Sequence, residues 1–226
     1  MLLTVSSVVS KELLNDITAL ATTLSWTDGT STAGATARAV KHNLQADLST
    51  GSGAVMRTRL LDAIRSHPLV RSAARPHRFS RLLLSRTEPG GGYGAHVDNA
   101  LMGRGNQQIR TDISFTLFLS DPESYTGGEL EVERPGMVHS LKPQAGDLVM
   151  YPATNLHRVA PVTKGSRLVC VGWIQSTIPD QQQREVLMDL ENVRVALRSQ
   201  HSVQSAEMLV LQKTIANLTR MWARLG

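Results

Sequence analysis

Gly94-Ala95-His96-Val97-Asp98 sets an imidazole and a carboxylate two positions apart, so on an extended chain both side chains leave the same face. Two ligands of one metal ion can come from that stretch. A third candidate, His157, follows the turn Pro152-Ala153-Thr154-Asn155. Two histidines and one carboxylate form a facial triad, which leaves open positions on an octahedral ion and suits non-haem Fe(II) better than a closed structural zinc site. Further on, Arg167 opens the apolar strand Leu168-Val169-Cys170-Val171 behind the turn Thr163-Lys164-Gly165-Ser166. An arginine so placed needs a partner, and its planar fork suits a carboxylate brought in by a small molecule.

A dicarboxylate could be that partner. 2-Oxoglutarate fits: its C1 carboxylate and 2-oxo group would take two open metal positions, its far carboxylate would meet Arg167, and O2 would take the last. Taken alone, His96 is more simply an ordinary half-buried histidine; it becomes a ligand candidate through the company of Asp98, His157 and Arg167. Tyr93 shares a face with His96 only if the Gly92–Ala95 stretch bulges, because an offset of three changes face; otherwise its role is packing. His42, His67, His77, His139 and His201 have no partners at ligand spacing and read as surface or capping residues. Gly90-Gly91-Gly92 reads as a turn and not a phosphate cradle, since no helical pattern follows it.

The elements that must position these groups are legible from periodicity. Ser10 can cap a helix carrying Leu13, Leu14, Ile17 and Leu20 at helical spacing, which the polar stretch 25–36 interrupts. A second helix is predicted from Gly53 to Ser66, with Met56, Leu60, Leu61 and Ile64 on one face and His67-Pro68 as its end. From Phe79 to Ile174 short apolar runs alternate with turns, the pattern of an antiparallel sandwich or barrel. After Pro179 helical stripes return, first Val186, Leu187, Leu190, Val193 and Leu197, then Met208, Leu209, Leu211, Ile215, Leu218 and Met221. Three segments result: helical support over 1–78, a β core over 79–178 and a helical extension over 179–226. The stripes must be buried on the barrel or against a second copy, which predicts a homodimer through the C-terminal helices or a tail packed beside the site's mouth.

The chain has 226 residues, 41% of them hydrophobic and 19% charged, enough for a real core and too apolar for intrinsic disorder. No apolar run reaches the roughly 20 residues that cross a bilayer. The start, MLLTVSSVVSKELL, lacks the basic flank of a signal peptide, so a cytoplasmic location without membrane contact is expected. Cys170 is the only cysteine and sits in an apolar strand, so a buried thiol is expected and no internal disulfide can form. The net charge of +5 and pI of about 9.8 raise nucleic acid as a partner, but the arginines are dispersed and a solvated basic surface is the simpler reading.

The order Tyr93-x-x-His96-x-Asp98, Gly146-Asp147-Leu148, Tyr151-Pro152, Leu156-His157-Arg158-Val159-x-Pro161-Val162, Gly165-x-Arg167 and Trp173-Ile174-Gln175-Ser176 resembles the Fe(II)- and 2-oxoglutarate-dependent dioxygenases. More narrowly, it is similar to the bacterial PKHD-type hydroxylases, relatives of prolyl and lysyl hydroxylases. The likeness runs from Asn43-Leu44-Gln45 to Asp189-Leu190. It implies a double-stranded β-helix of jelly-roll type, mainly β with flanking helices. It also implies His96, Asp98 and His157 as catalytic iron ligands, Arg167 as the 2-oxoglutarate anchor, and Tyr93 beside it. The implied reaction couples decarboxylation of 2-oxoglutarate, giving succinate and CO2, to hydroxylation of an unactivated C–H bond, with L-ascorbate as a reductant. Related halogenases replace the carboxylate with a small residue, so Asp98 favours hydroxylation. One departure is Ser85-Arg86-Thr87, where similar proteins often carry Asn-Arg-Tyr. The substrate stays open between a small molecule, an amino acid and a peptide or protein. Two other readings remain, a nucleic-acid oxidative demethylase and a non-catalytic sensor of iron or 2-oxoglutarate.

Overall fold

The computed structural model describes residues 1–32 and 38–225; the end of the polar stretch 25–36 therefore lies outside the described residues. Two antiparallel sheets form its centre. The larger contains, in spatial order, β1 (Leu3–Val5), β14 (Leu148–Pro152), β10 (Ile113–Phe118), β17 (Arg167–Ser176), β6 (Leu83–Thr87), β4 (Leu44–Ala46) and β2 (Trp26–Asp28), with β5 (Pro76–Phe79) also paired to β17. The smaller contains β13 (Met137–Leu141), β12 (Leu130–Arg134), β15 (His157–Val159), β7 (Gly92–His96) and β3 (Lys41–His42). Two short ribbons, β8 (Leu101–Met102) with β9 (Ile109–Arg110) and β11 (Thr126–Gly127) with β16 (Val162–Lys164), complete a double-stranded β-helix.

The expected jelly roll is present, and the period of two explains its layers. On β10, Ile113, Phe115 and Leu117 join the core beneath the N-terminal helices, whereas Phe118 packs with Leu130, Val132, Val149, Tyr151 and Val169 between the sheets. Ser114 and Thr116 share that inner side and line a cavity. β10 and β14 are buried along their whole length because both faces are covered. Gly172 on β17 belongs to this packing: a Cβ there would lie 2.6 Å from Cζ of Phe115. Gly172→Val should therefore cost about 1–3 kcal/mol through overpacking, read as a lower melting temperature in differential scanning calorimetry; an unchanged melting temperature would mean that Phe115 has room to move.

α1 (Lys11–Ala21) is capped by Ser10, whose Oγ accepts from the Leu13 N–H at 3.2 Å, and buries Ile17 and Ala21. α2 (Gly51–Ser66) buries Met56, Leu60 and Ile64 on the expected face. Pro68 ends that helix but also starts α3 (Pro68–Ala74), because a proline at the first helical position gives up an N–H that would be unpaired anyway. The segment before Phe79 supplies β1 to β4 and most of β5, which the sequence reading did not separate from its helices. These are two- to four-residue strands, too short to display a period.

α4 (Gln181–Leu197) and α5 (Ala206–Trp222) pack on each other through Leu187, Ile178 and Ile215, flanked by Leu190, Leu211, Leu218 and Trp222. Val186, Val193, Leu209 and Met221 are exposed, so both apolar stripes are narrower than the spacing suggested. In α5 the buried line runs through 208, 211, 215, 218 and 222, and the i+1 neighbour and Met221 fall outside it. No helix among the described residues is long and apolar enough to cross a membrane.

Candidate metal centre

His96 closes β7, Asp98 lies two residues beyond it, and His157 opens the neighbouring β15, directly paired with His96. One ligand atom from each lies within 4.8 Å of the other two. The imidazoles are tilted by 52° with centroids 4.2 Å apart, and His157 Nε2 stands 3.7 Å from Asp98 Oδ2. Nδ1 of His96 lies 2.8 Å from the Gly94 carbonyl and Nδ1 of His157 lies 3.0 Å from the Asn155 carbonyl. A carbonyl only accepts, so both Nδ1 atoms must donate, and each Nε2 lone pair is left for a metal. Burial first, then the neighbouring His157, pushes the His96 pKa down to about 4. The ring is therefore neutral at pH 7 and surrenders no proton to a cation.

This donor set, two imidazoles and a carboxylate, fits Fe(II). A sequence scan for ligands could not supply Ser114, whose Oγ donates to Asp98 Oδ2 at 2.5 Å and fixes that carboxylate. Its only signal was a hydroxyl inside the apolar run Ile113-Ser114-Phe115. Ser114→Ala should weaken metal affinity by about 10- to 100-fold with little change in melting temperature, as read by calorimetric titration with Mn(II) or Co(II). An affinity equal to wild type would show that Asp98 is held by other means.

Tyr93 meets the condition set for it. The register between β15 and β7 shifts between His157 and Val159, so two residues of β15 span the three from Tyr93 to His96. The Tyr93 ring accordingly stacks on His96 with centroids 3.7 Å apart, and the Lys41 ammonium sits over the same ring, 5.3 Å from its centroid. Burial, with a smaller contribution from Asp98, raises the Tyr93 hydroxyl to about 12, so it stays protonated. Burial also pulls Lys41 down to about 8 against the charges of Asp28 and Asp98. Lys41 and Asn43 were not predicted to line the cavity, because the two-residue β3 and the single residue that follows it carry no readable period.

Arg167, on the first position of β17, is almost wholly buried and lines the same cavity of about 100 Å³. Its Nε has no hydrogen-bond partner. Its guanidinium lies 5.2 Å over the Phe118 ring, and desolvation lowers its pKa against the pull of Tyr125 and Tyr151. The Tyr125 side chain lies against the guanidinium, and burial raises its hydroxyl's pKa while Arg167 pulls it back. A buried cation with an orphaned donor has the chemistry of a carboxylate site. Gly128, at φ 71°, holds the guanidinium stem in place: a Cβ there would come within 2.9 Å of Arg167 Cδ. Thr87, in place of the usual tyrosine, is buried and lines this cavity.

The remaining histidines stay apart: among the described residues His96, Asp98 and His157 form the one such cluster. Cys170 is buried, and desolvation raises its thiol to about 12, as its apolar strand led us to expect.

Residues 82–175 match the 2OG-Fe(II) oxygenase superfamily. A PKHD-type hydroxylase of Hyphomonas neptunium is 48% identical over 222 residues, 98% of this chain and 99% of that one. A PKHD-type hydroxylase of Acaryochloris marina is 43% identical over 99% of this chain and all of its own length. Among solved structures, a prolyl hydroxylase from Trichoplax adhaerens, in complex with a hypoxia inducible factor peptide fragment, superposes with a TM-score of 0.55 at 12% identity, covering 82% of this chain and 86% of that one. That likeness concerns the fold.

Proposed function

The chain belongs to the PKHD-type hydroxylase family of 2OG-Fe(II) oxygenases, and on that footing we propose that His96, Asp98 and His157 hold the iron and Arg167 anchors 2-oxoglutarate. The observation that carries this reading is one cavity lined both by the three convergent side chains and by a buried guanidinium whose Nε lacks a partner. When bound, Fe(II) supplies the O2 chemistry that couples decarboxylation of 2-oxoglutarate, to succinate and CO2, with hydroxylation of a C–H bond.

The protein's part is binding and exclusion. Arg167 would neutralise the far carboxylate of the cosubstrate, with the Tyr125 side chain packed against its guanidinium. Ser114 and the carbonyls of Gly94 and Asn155 fix the three ligands. Leu130, Val169 and Val171 keep the cavity wall apolar. The stacked Tyr93 ring shields His96 from water on one side. Thr87 leaves more room than a tyrosine would for the cosubstrate or substrate. Succinate formation that requires both Fe(II) and 2-oxoglutarate tests the reading; its absence in the metal-loaded protein would reject it in favour of a sensor that only binds.

The substrate is proposed to be an amino-acid residue, free or within a peptide, of the prolyl or lysyl type. L-Ascorbate is proposed as the reductant that restores the ferrous form, and a cytoplasmic location as the setting in which Cys170 stays reduced. We also propose a homodimer through the exposed residues of α4 and α5, among them Val193, Val195 and Val210. Deletion from Ser199 onward removes α5, so the mass seen in light scattering should fall to that of one chain and the melting temperature should drop as Leu187 and Ile178 are uncovered. An unchanged mass and stability would reject both the dimer and the packing role of α5.

A further inference from the structure

Resting on the reading above, we propose that an acidic peptide segment is the substrate, docked in an arginine-lined groove immediately outside the iron cavity. The groove has a volume of about 620 Å³ and shares Leu83, Met102 and Trp173 with the inner cavity. The two spaces therefore adjoin at these residues. The inner part, of about 100 Å³, must also hold metal and cosubstrate, whereas the outer one is of the size that accommodates molecules well beyond a single amino acid, about 300–1,000 Å³. A substrate that fills both has one reacting residue inside and a chain outside.

Arg57, Arg78 and Arg81 all face this outer groove. Arg57 has no hydrogen bond or ion pair among the described residues, and Arg81 has only Asp47, at 3.9 Å and exposed to solvent. Arg78 donates to the carbonyls of Gln108 and Asn106 at 2.9 and 2.7 Å, which ties down the loop between β8 and β9 yet leaves its charge uncompensated. Three guanidinium groups against one carboxylate make a site for anions. By contrast, Arg59, Arg110, Arg158 and Arg194 are each paired with a carboxylate within 2.8 Å. At the junction, Trp173 Nε1 is buried without a partner, a donor suited to a carbonyl of the entering backbone.

A carboxylate-bearing peptide fits better than a nucleic acid. Single-stranded binders alternate basic groups with several aromatic platforms along an extended track, and this groove offers one short cluster, with Phe79 and the throat residue Trp173 as its aromatic rings. Side chains of Asp or Glu on either side of the reacting residue would meet Arg57 and Arg81.

The test uses fluorescence anisotropy on the full chain, with Mn(II) and 2-oxoglutarate present. The probes are fluorescein-labelled randomised dodecapeptide pools whose flanks are drawn from Asp, Glu, Gly and Ser or from Lys, Arg, Gly and Ser, and a twelve-nucleotide oligo-dT. The acidic pool should bind on the order of tenfold tighter than the basic one, more weakly as salt is raised, and should lose that advantage in Arg57→Glu/Arg81→Glu. The milder Arg57→Gln/Arg81→Gln should fall between. Calorimetric binding of 2-oxoglutarate should be unchanged in both variants. Equal binding of the two peptide pools, or retention of acidic-pool binding in Arg57→Glu/Arg81→Glu, would overturn the groove assignment while leaving the oxygenase reading intact. Tighter binding of oligo-dT, lost in the same variant, would overturn the peptide in favour of nucleic acid. Failure of the wild-type protein to bind 2-oxoglutarate would reject the underlying reading instead.

Discussion

Alanine at His96, Asp98 or His157 will abolish succinate formation and lower metal affinity by more than about 10²-fold in each case. Loss of a group that only hydrogen-bonds a metal ligand costs about 10- to 100-fold, and each of these substitutions removes one of the three side chains proposed to hold the iron. The three are not equivalent in what they leave behind. Asp98→Ala removes the sole negative charge in the donor set and leaves the Ser114 hydroxyl without its acceptor; His157→Ala removes the ring against which Tyr151 packs edge-on at 5.0 Å. His96→Ala frees one face of Tyr93. Calorimetric titration with Mn(II), run beside a succinate assay, checks all three, and wild-type turnover in any one would remove that residue from the ligand set.

Arg167→Ala will raise the KM for 2-oxoglutarate by hundreds- to thousands-fold while leaving Mn(II) affinity near wild type. Breaking a buried charge pair by removing one partner costs about 3–5 kcal/mol, since the remaining charge stays desolvated. The guanidinium is almost wholly buried and its Nε is unsatisfied before any ligand arrives, so its removal leaves the incoming carboxylate with no cation at that wall. Arg167→Lys should recover only part of the affinity, because an ammonium has no fork to offer two parallel bonds. A titration with 2-oxoglutarate that is unchanged in Arg167→Ala would place the anchor elsewhere, and the buried Lys41 would be the next residue to replace.

How much of this was legible in the sequence depended on spacing. His96 and Asp98 could be paired because two positions on an extended chain share a face, and the later elements β10, β14 and β17 declare themselves through five- to ten-residue apolar runs. His157 could be proposed as a partner only through residue type and order; that it pairs directly with His96 across β15 and β7 is a fact of register. The bulge that turns Tyr93 onto His96 leaves no mark in composition beyond its glycines. Lys41 escaped notice because β3 has only two residues, and Asn43, quoted only for the likeness, lies in the single-residue gap between β3 and β4 and so has no period to read. Ser114 was invisible for a different reason: one hydroxyl in an apolar strand looks like tolerance until its acceptor, 16 residues away in the chain, is located. The groove with Arg57, Arg78 and Arg81 gathers a helix, a strand and the loop after it, so arginines that looked dispersed along the chain meet in space.

The central claim, that one cavity couples 2-oxoglutarate decarboxylation to hydroxylation, is tested most directly with isotopic oxygen. The Fe(II)-loaded protein is incubated with 2-oxoglutarate and a cell extract under 18O2, and succinate, peptides and metabolites are analysed by mass spectrometry. One 18O atom should appear in succinate and the other in a hydroxylated product, with both signals lost in His96→Ala and restored in Arg167→Ala only at high 2-oxoglutarate. Succinate without 18O, or labelled succinate formed equally by His96→Ala, would contradict the account.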